Sequence, residues 1–256
     1  PLEGMGVEIE FSPGPQLARR SLEEVARLTE LDPGAVSFVA ETIARVRDSL
    51  PGEVAVIGFA GGPLTLLAYL LEGSGSRDFM QLRAALHRPE AAGEALAALG
   101  RSMAVYLAAQ VEAGADAVQL FDSWAGLLSR HQFERLAAPA AGVALAGLGA
   151  PSIYFVPHGP HLLDLASRVG ATGYGVDWRL PLSEAWRRVG EDLPLQGNLD
   201  PAALVAGPEV TRLEARRVLQ EAAGRPGHLF NLGHGIHPDT PVESVEAMVA
   251  EVREAR

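Results

Sequence analysis

A repeated alternation of short apolar runs and helix-forming stretches is the sequence feature that most constrains the fold. After Pro51 it yields six strand candidates, and none is followed by a Gly-x-Gly-x-x-Gly turn. Such a βαβα rhythm predicts a parallel sheet covered by helices. It favours a (β/α)8 barrel, short of one or two units at its beginning, over a doubly wound sheet. The candidates are residues 54–59, 117–121, 152–156, 173–177, 195–197 and 228–231.

Helix-forming composition fills the intervals between the strand candidates, and no linker interrupts it. Residues 83–113 are rich in Ala, Leu and Glu, and we predict a break near Pro89 because proline starts a helix more readily than it continues one. We therefore predict one α/β domain over residues 1–256. The other helix predictions are residues 64–71, 127–147, 162–169, 182–189, 208–223 and 241–256.

Two residue types are missing from the sequence, and their absence removes whole classes of chemistry. All 21 basic residues are arginine, which excludes Schiff-base aldolases, pyridoxal enzymes and P-loop proteins because these need a lysine amine. The lack of cysteine excludes thiol nucleophiles, disulfides, iron–sulfur clusters and cysteine-ligated zinc. Catalysis must therefore use His, Asp, Glu, Tyr, Ser or Arg.

The net charge of −11 argues against nucleic-acid binding, which requires a basic surface. A small anionic ligand remains compatible with the chain if arginines are concentrated locally. No apolar stretch reaches the roughly 18 residues of a membrane helix, and the chain does not begin with a basic segment followed by an apolar core. We expect a soluble, cytoplasmic protein.

Polar and glycine-rich segments follow the strand candidates, at the end where (β/α)8 enzymes carry their chemistry. The segment from Gly58 to Gly62 precedes a helix, and it fits either an anion site or a tight turn that needs a positive φ. Asp122 is expected to point into the barrel mouth as a general acid, a metal ligand or, most commonly at such a junction, a helix cap. Ser123 lacks the sequence of a nucleophile elbow, and Tyr69 alone fits a half-buried core position.

Histidines near strand ends are further candidates for site residues. His234 lies between two glycines directly after the last strand, a position that favours function over core packing. His158, His161 and His237 raise the alternative of a zinc site, but His-x-x-His in a loop without a fixed third ligand is weak evidence. We predict no metal. For Asp200, followed by proline, the pattern predicts a helix cap.

Taken together, these segments resemble the uroporphyrinogen decarboxylase family in content and order along the whole chain. The resemblance implies a single-domain distorted (β/α)8 TIM barrel and a homodimer. The strings that carry it are Gly58-Phe59-Ala60-Gly61-Gly62-Pro63-Leu64-Thr65 with Tyr69 and Glu72-Gly73 beyond it, Gln119-Leu120-Phe121-Asp122-Ser123-Trp124-Ala125-Gly126, Gly175-Val176-Asp177-Trp178, Leu195-Gln196-Gly197-Asn198-Leu199-Asp200-Pro201 and Asn231-Leu232-Gly233-His234-Gly235.

The resemblance also implies an activity and four site residues. The activity is decarboxylation of the four acetate side chains of uroporphyrinogen III, which gives coproporphyrinogen III and CO2 in heme and porphyrin biosynthesis without a cofactor. By resemblance, Tyr69 and Ser123 would hydrogen-bond substrate carboxylates. His234 would bind a carboxylate or assist proton transfer, and Phe59 would form part of an apolar wall.

Two motifs of the family have no counterpart in this sequence. One is Arg-Gln-Ala-Gly-Arg, which supplies carboxylate-binding arginines, and the other is Phe-Ser-Asp-Ile, which supplies the principal catalytic aspartate. Both precede the segment that the first residues resemble, and Pro1-Leu2-Glu3 is not a natural translation start. We therefore expect the first βα portion to be missing and the chain as given to be nearly inactive. The loop from His158 to His161 matches no string of the family and receives no role by resemblance.

Two other functions stay open at this point. A corrinoid-linked methyltransferase on a related barrel would need zinc or a corrinoid partner to activate a thiol, and the missing cysteine ligands count against it. The other is a porphyrin-binding barrel that has lost catalysis. The sequence upstream of Pro1 would separate this last reading from an active decarboxylase.

Overall fold

The computed structural model describes residues 1–11 and 14–255, and its regular elements follow one another as strand and helix. The strands are β1 (Glu10–Phe11), β2 (Pro15–Gln16), β3 (Ile57–Gly61), β4 (Ala117–Phe121), β5 (Ser152–Phe155), β6 (Gly173–Gly175), β7 (Leu195–Leu199) and β8 (His228–Leu232). The α-helices are α1 (Leu22–Ala26), α2 (Ser37–Ser49), α3 (Pro63–Glu72), α4 (Met80–Ala85), α5 (Pro89–Glu112), α6 (Arg130–Gln132), α7 (Ala138–Leu145), α8 (Leu163–Ala166), α9 (Leu182–Val189), α10 (Pro201–Val205), α11 (Pro208–Ala222) and α12 (Val242–Glu254).

Strands β3 to β8 form one parallel sheet in chain order. This confirms the α/β class and the six strands predicted after Pro51. Phe59 is in register with Gln119, and Phe121 with Phe155, so the carboxyl ends of neighbouring strands lie at the same edge. A separate antiparallel pair, β1 and β2, precedes this sheet. The segments that follow the six strands are therefore brought together at one end of the sheet.

Helix α5 supplies much of the core. It begins at Pro89, as expected, because proline fits the first helical turn, where a backbone N–H has no helical partner. Leu96, Leu99 and Met103 on α5 are completely buried, and each contributes about 2 kcal/mol by leaving water. One continuous apolar cluster extends from Leu2 to Ala222 and joins the helices to the sheet.

The two edges of the sheet are more exposed than its centre. Phe59 and Ile57 on β3 are 65% and 45% exposed, whereas every residue of β5 is buried. The backbone N–H and C=O of Phe59 bind the side-chain amide of Gln110 at 2.8 and 3.0 Å. Gln110 belongs to α5, so a helix side chain forms the backbone hydrogen bonds that a neighbouring strand would otherwise form at this edge of the sheet.

The predicted elements agree with the structure in type but differ in extent: the strand predicted from residue 54 begins at Ile57, and the helix predicted over 162–169 is the single turn α8. Residues 117–121 and 182–189 form the predicted strand and helix, and α4 ends before Pro89. Within the helix predicted over 127–147, residues 130–145 are continuously helical, but a π-helical turn, Phe133–Ala137, joins α6 to α7, and a 3-10 turn, Ala125–Leu127, precedes them. Ser129 starts a new helix there through a capping box with Gln132. In the described ranges, no helix is long and apolar enough to span a bilayer.

Candidate active site

The polar segments after the parallel strands meet at the carboxyl edge of the sheet, where α/β enzymes bind their ligands. Phe121 and Phe155 pack edge-to-face there, with ring centroids 6.1 Å apart, and Phe59 lies on the other side of Phe121 at 6.2 Å. A cavity of about 290 Å³ opens beside Phe121 and Phe155 and reaches His234. Phe59 itself does not line this cavity, although its ring extends the same apolar row. The geometry is that of an apolar pocket with a few polar groups at its rim.

Asp122 is buried beneath this surface and does not point into the mouth, which corrects our expectation. Its side chain accepts hydrogen bonds from the Thr65 backbone N–H at 2.9 Å, the Thr65 hydroxyl at 3.0 Å and the Tyr154 hydroxyl at 3.0 Å. Burial raises the pKa of Asp122 from 3.8 to about 6, and the hydrogen bonds from Thr65 and Tyr154 oppose that rise. The pKa of Tyr154 is raised too, chiefly by burial and then by Asp122. We call Thr65, Asp122 and Tyr154 the Asp122 cluster.

The Asp122 cluster also explains the glycines after β3. Thr65 is the third residue of α3, so the carboxylate of Asp122 binds a free N–H group at the start of that helix. The anion that the glycine-rich segment predicted is therefore supplied by the protein itself. Gly62 has a φ of −67°, which excludes the positive-φ turn at that residue. Glycine is needed there because a Cβ atom would collide with the Asp122 side chain.

Tyr69 and Ser123 lie close to this cluster along the chain, since Tyr69 follows Thr65 on α3 and Ser123 follows Asp122. Tyr69, on α3, is half-buried, and its ring packs edge-to-face against Trp124 with centroids 6.4 Å apart. Trp124 in turn stacks on Phe79 at 4.4 Å. Ser123 is half-buried and directly follows Asp122, whose three hydrogen bonds fix the backbone at this point. Tyr69 therefore contacts the residue that directly follows Ser123, and neither Tyr69 nor Ser123 lines the cavity beside Phe121 and Phe155.

His234 is placed in a different group of side chains. The rings of His158, Trp178 and His234 form a triangle with centroid separations of 6.1 to 6.3 Å, all edge-to-face. His234 is exposed, as its position between two glycines suggested. Gly233 lies so close to the backbone of Trp178 that a Cβ atom would overlap it. We call these three residues the histidine triangle.

The other predicted candidates have structural partners instead of ligand-binding geometry. His161 contacts the Leu128 carbonyl through Nε2 at 3.0 Å, so it does not join His158 in a metal site. Asp200 caps α10 by accepting from the Ala202 N–H at 2.9 Å, which confirms that prediction. Within residues 1–11 and 14–255, no three His, Asp or Glu side chains are grouped closely enough to hold a metal ion.

Sequence reasoning missed two parts of this site. The sequence places Tyr154 only within a strand, whereas its hydroxyl donates to Asp122, which directly follows the neighbouring strand β4. No local pattern connects the two residues, because they are 32 positions apart. Asp177 is buried and organises the loops around His158 through hydrogen bonds to backbone N–H groups, which no local pattern reveals.

Comparison with known proteins decides the family. Residues 1–255 match the uroporphyrinogen decarboxylase family. A uroporphyrinogen decarboxylase of Carboxydothermus hydrogenoformans is 41% identical over 99% of this chain and 75% of the relative. The corresponding protein of Streptomyces coelicolor is 42% identical over 98% of this chain and 73% of its own length. The chain belongs to the uroporphyrinogen decarboxylase family.

A solved structure extends the comparison to the fold. A methyltransferase from Methanosarcina mazei superposes with a TM-score of 0.83 over 99% of this chain and 77% of the other, at 22% identity. At that identity the likeness concerns the fold alone. The uroporphyrinogen decarboxylase family and this methyltransferase therefore share an architecture, and the relatives at 41 to 42% identity carry the functional comparison.

Proposed function

We propose that this protein removes CO2 from the four acetate side chains of uroporphyrinogen III and releases coproporphyrinogen III, without a cofactor, in heme and porphyrin biosynthesis. The observation that carries the proposal is the match to the uroporphyrinogen decarboxylase family over residues 1–255, with relatives of that name at 41 to 42% identity. The absence of lysine and cysteine is compatible with this reaction, since it needs neither an amine nor a thiol.

The chemistry requires a temporary electron sink next to each acetate. Protonation of a pyrrole carbon produces a cation that accepts the electron pair when the C–C bond to the carboxylate breaks. CO2 leaves, the methylene carbon takes up a proton to become a methyl group, and loss of the first proton restores the pyrrole. The protein must therefore stabilise a cationic intermediate and hold the carboxylates that do not react.

We propose that four residues carry these tasks. Tyr69 and Ser123 hydrogen-bond substrate carboxylates, and the fixed backbone around Asp122 supports their positions. His234 binds a carboxylate or assists proton transfer, which its exposure at the rim of the cavity permits. Phe59 extends the apolar wall that Phe121 begins, 6.2 Å from it.

Anaerobic incubation of the complete protein with uroporphyrinogen III, followed by oxidation and chromatography of the porphyrins, tests the activity. We expect products with seven, six, five and four carboxylates, ending at coproporphyrin. Tyr69→Phe, Ser123→Ala and His234→Asn should each lower kcat/KM by about tenfold or more, since each removes a hydrogen bond to a charged group. His131→Gln, an exposed change on α6, is the matched control. Absence of any decarboxylated product from the complete protein contradicts the proposal.

We also propose that the six strands belong to a closed, distorted (β/α)8 barrel in a single domain. Support comes from the parallel order of β3 to β8 and from the exposed apolar residues of the edge strands, Phe59 on β3 and Leu229 on β8. Two further strands between these edges would cover them and take over the bonds that Gln110 now makes to Phe59. A crystal structure of the complete protein tests this by showing or lacking a ring of eight strands.

We further propose a cytoplasmic homodimer. Large apolar side chains are exposed on two neighbouring helices, Leu213 on α11 and Val242 on α12, and such surface favours association. Sedimentation equilibrium should give twice the mass of one chain, and fractionation of the source cells should place the protein with the cytoplasm. A single-chain mass at micromolar concentration contradicts the dimer.

A further inference from the structure

His158 is held in a fixed and unusual position in the loop after β5. Its φ is 59°, a left-handed conformation that residues other than glycine adopt rarely. Its backbone N–H donates to the Asp177 Oδ2 atom at 2.6 Å. The same carboxylate accepts the backbone N–H of Arg179 at 2.8 Å and its guanidinium at 3.0 Å. Because Asp177 is buried, this network fixes the His158 loop against the loop after β6.

A second contact fixes the same loop from the side of Ser123. Gly126, three residues after Ser123, lies against the backbone of Pro157 and His158 so closely that a Cβ atom there would collide with both. Loops after β4, β5, β6 and β8 therefore converge on His158. Such convergence fixes the position of its side chain, whose ring centroid lies 6.3 Å from that of His234.

Both imidazoles of this pair keep their ring nitrogens available. Among the hydrogen bonds of the described residues, none uses a ring nitrogen of His158 or His234, whereas His161 and His228 bind the carbonyls of Leu128 and Gly197. The two rings pack edge-to-face at 6.3 Å, which leaves no space for a ligand between them, but a carboxylate lying across both exposed rings can accept one hydrogen bond of about 2.9 Å from each. The pair can therefore bind one carboxylate through two hydrogen bonds, one from each ring.

The charges around the pair favour an anion. The Arg179 guanidinium stacks on Trp178 at 3.8 Å, and the Asp177 carboxylate accepts the backbone N–H of His158. Asp177 already accepts three hydrogen bonds. Two further arginines donate to carbonyls of the His158 loop, and each is paired with a carboxylate, Arg130 with Asp164 and Arg188 with Glu184. Burial lowers the pKa of His158, and Arg179 and His234 lower it further while Asp177 opposes them. A bound carboxylate would counter that lowering by favouring the imidazolium.

We propose that His158 is a second substrate-binding histidine, which together with His234 holds one carboxylate of the substrate across the exposed sides of the two rings. This inference rests on the proposed function for the identity of the substrate. Trp178 forms the apolar side of this carboxylate site, and the hydrogen bonds that Asp177 accepts position His158. Binding of the carboxylate is coupled to proton uptake by His158, so affinity rises as the pH falls through the range in which His158 titrates.

The first test is binding, which does not require turnover. Uroporphyrin III, the oxidised and unreactive octacarboxylate, is titrated into the complete protein and followed by fluorescence quenching at several values between pH 6 and pH 8. We expect His158→Asn to weaken binding about tenfold and to make its pH dependence shallower, because Asn is too short to reach the carboxylate and does not titrate. Asn also suits the left-handed backbone, so the variant should fold. His158→Gln, whose side-chain amide donor reaches one methylene further than that of Asn, should recover part of the affinity but not the pH dependence.

The second test is turnover of uroporphyrinogen III by the same proteins. We expect His158→Asn to raise KM about tenfold and to change kcat less than threefold. His161→Gln is the matched control, since it removes an imidazole from the same loop that does not face His234. Wild-type affinity in His158→Asn overturns the inference, as does equal weakening by His161→Gln, which would indicate loop geometry alone. Wild-type protein that binds uroporphyrin but decarboxylates nothing would contradict the proposed function, while the binding comparison would still decide the role of His158.

Discussion

The Asp122 cluster and the histidine triangle lie at the same edge of the sheet but are built in opposite ways. In the cluster, Asp122 is completely buried and three hydrogen bonds reach its carboxylate. In the triangle, His158 and His234 are exposed and pack through ring edges. Buried polar groups are costly unless they are paired, whereas exposed groups can leave hydrogen bonds to water or a ligand. The comparison separates a half that positions residues from a half that we propose as the ligand-binding one.

The largest expected effect comes from removing the carboxylate at the centre of the Asp122 cluster. Asp122→Ala leaves the Thr65 N–H, the Thr65 hydroxyl and the Tyr154 hydroxyl without their acceptor, and we expect a loss of about 3 to 4 kcal/mol in the free energy of unfolding. Denaturant unfolding measures it. Asp200→Ala is the matched control, because it removes an exposed helix cap and should cost about 1 kcal/mol. Equal losses in the two variants would show that the Asp122 cluster is not a structural centre.

The next effect is a pH dependence that belongs to Asp122. Because its pKa rises from 3.8 to about 6 on folding, the folded protein holds this proton more tightly, so stability decreases as the pH rises from about 4 to about 6. A pKa difference of about two units corresponds to roughly 3 kcal/mol in the free energy of unfolding. The side chain that Asp122→Asn introduces cannot ionise. We therefore expect the unfolding free energy of the variant minus that of the wild type to rise by roughly 3 kcal/mol between pH 4 and pH 7. A constant difference across that range would mean that Asp122 titrates normally.

The two halves also differ in how far the sequence predicted them. Local signals sufficed for β4, α9, the start of α5 at Pro89 and the cap at Asp200, because each depends on residues close in the chain. They also placed His234 at a strand end. The bond between Tyr154 and Asp122 and the pairing of His158 with His234 connect residues 32 and 76 positions apart, so only the folded sheet brings them together.

The resemblance to a family predicted more of the function than of the geometry. It named Tyr69, Ser123, His234 and Phe59, and these belong to strings that the family shares. It could not reveal that Asp122 occupies the helix start that its neighbouring glycines suggested for a ligand. Nor could the resemblance assign a role to His158, because its loop matches no sequence string of the family. The position of His158 depends instead on contacts with Gly126 and Asp177.

A smaller effect is expected from changing the glycine that brings His234 to Trp178. In Gly233→Ala, the new methyl group would overlap the Trp178 backbone, and the two loops would have to separate at a cost of about 1 to 3 kcal/mol. Gly235→Ala, on the other side of His234, meets no atom within 4 Å and should leave stability unchanged or slightly raised. Thermal unfolding of the two variants measures the difference. Similar melting temperatures would indicate that the loops can separate freely at Trp178.

The smallest expected effect is the stability change in His158→Asn, and it decides whether the triangle is structural or available to a ligand. The substitution removes two edge-to-face contacts, worth about 1 kcal/mol at an exposed site, and it relieves a left-handed backbone that histidine tolerates less well than asparagine. The two effects nearly cancel, so the free energy of unfolding should stay within about 1 kcal/mol of the wild type.

Denaturant unfolding at pH 7 and pH 8 checks this, with His161→Gln as the control in the same loop. A loss above about 2 kcal/mol would mean that the histidine triangle holds the loops together as the Asp122 cluster does. Little change in stability beside a large change in carboxylate affinity is the combination that only a ligand-binding role for His158 produces.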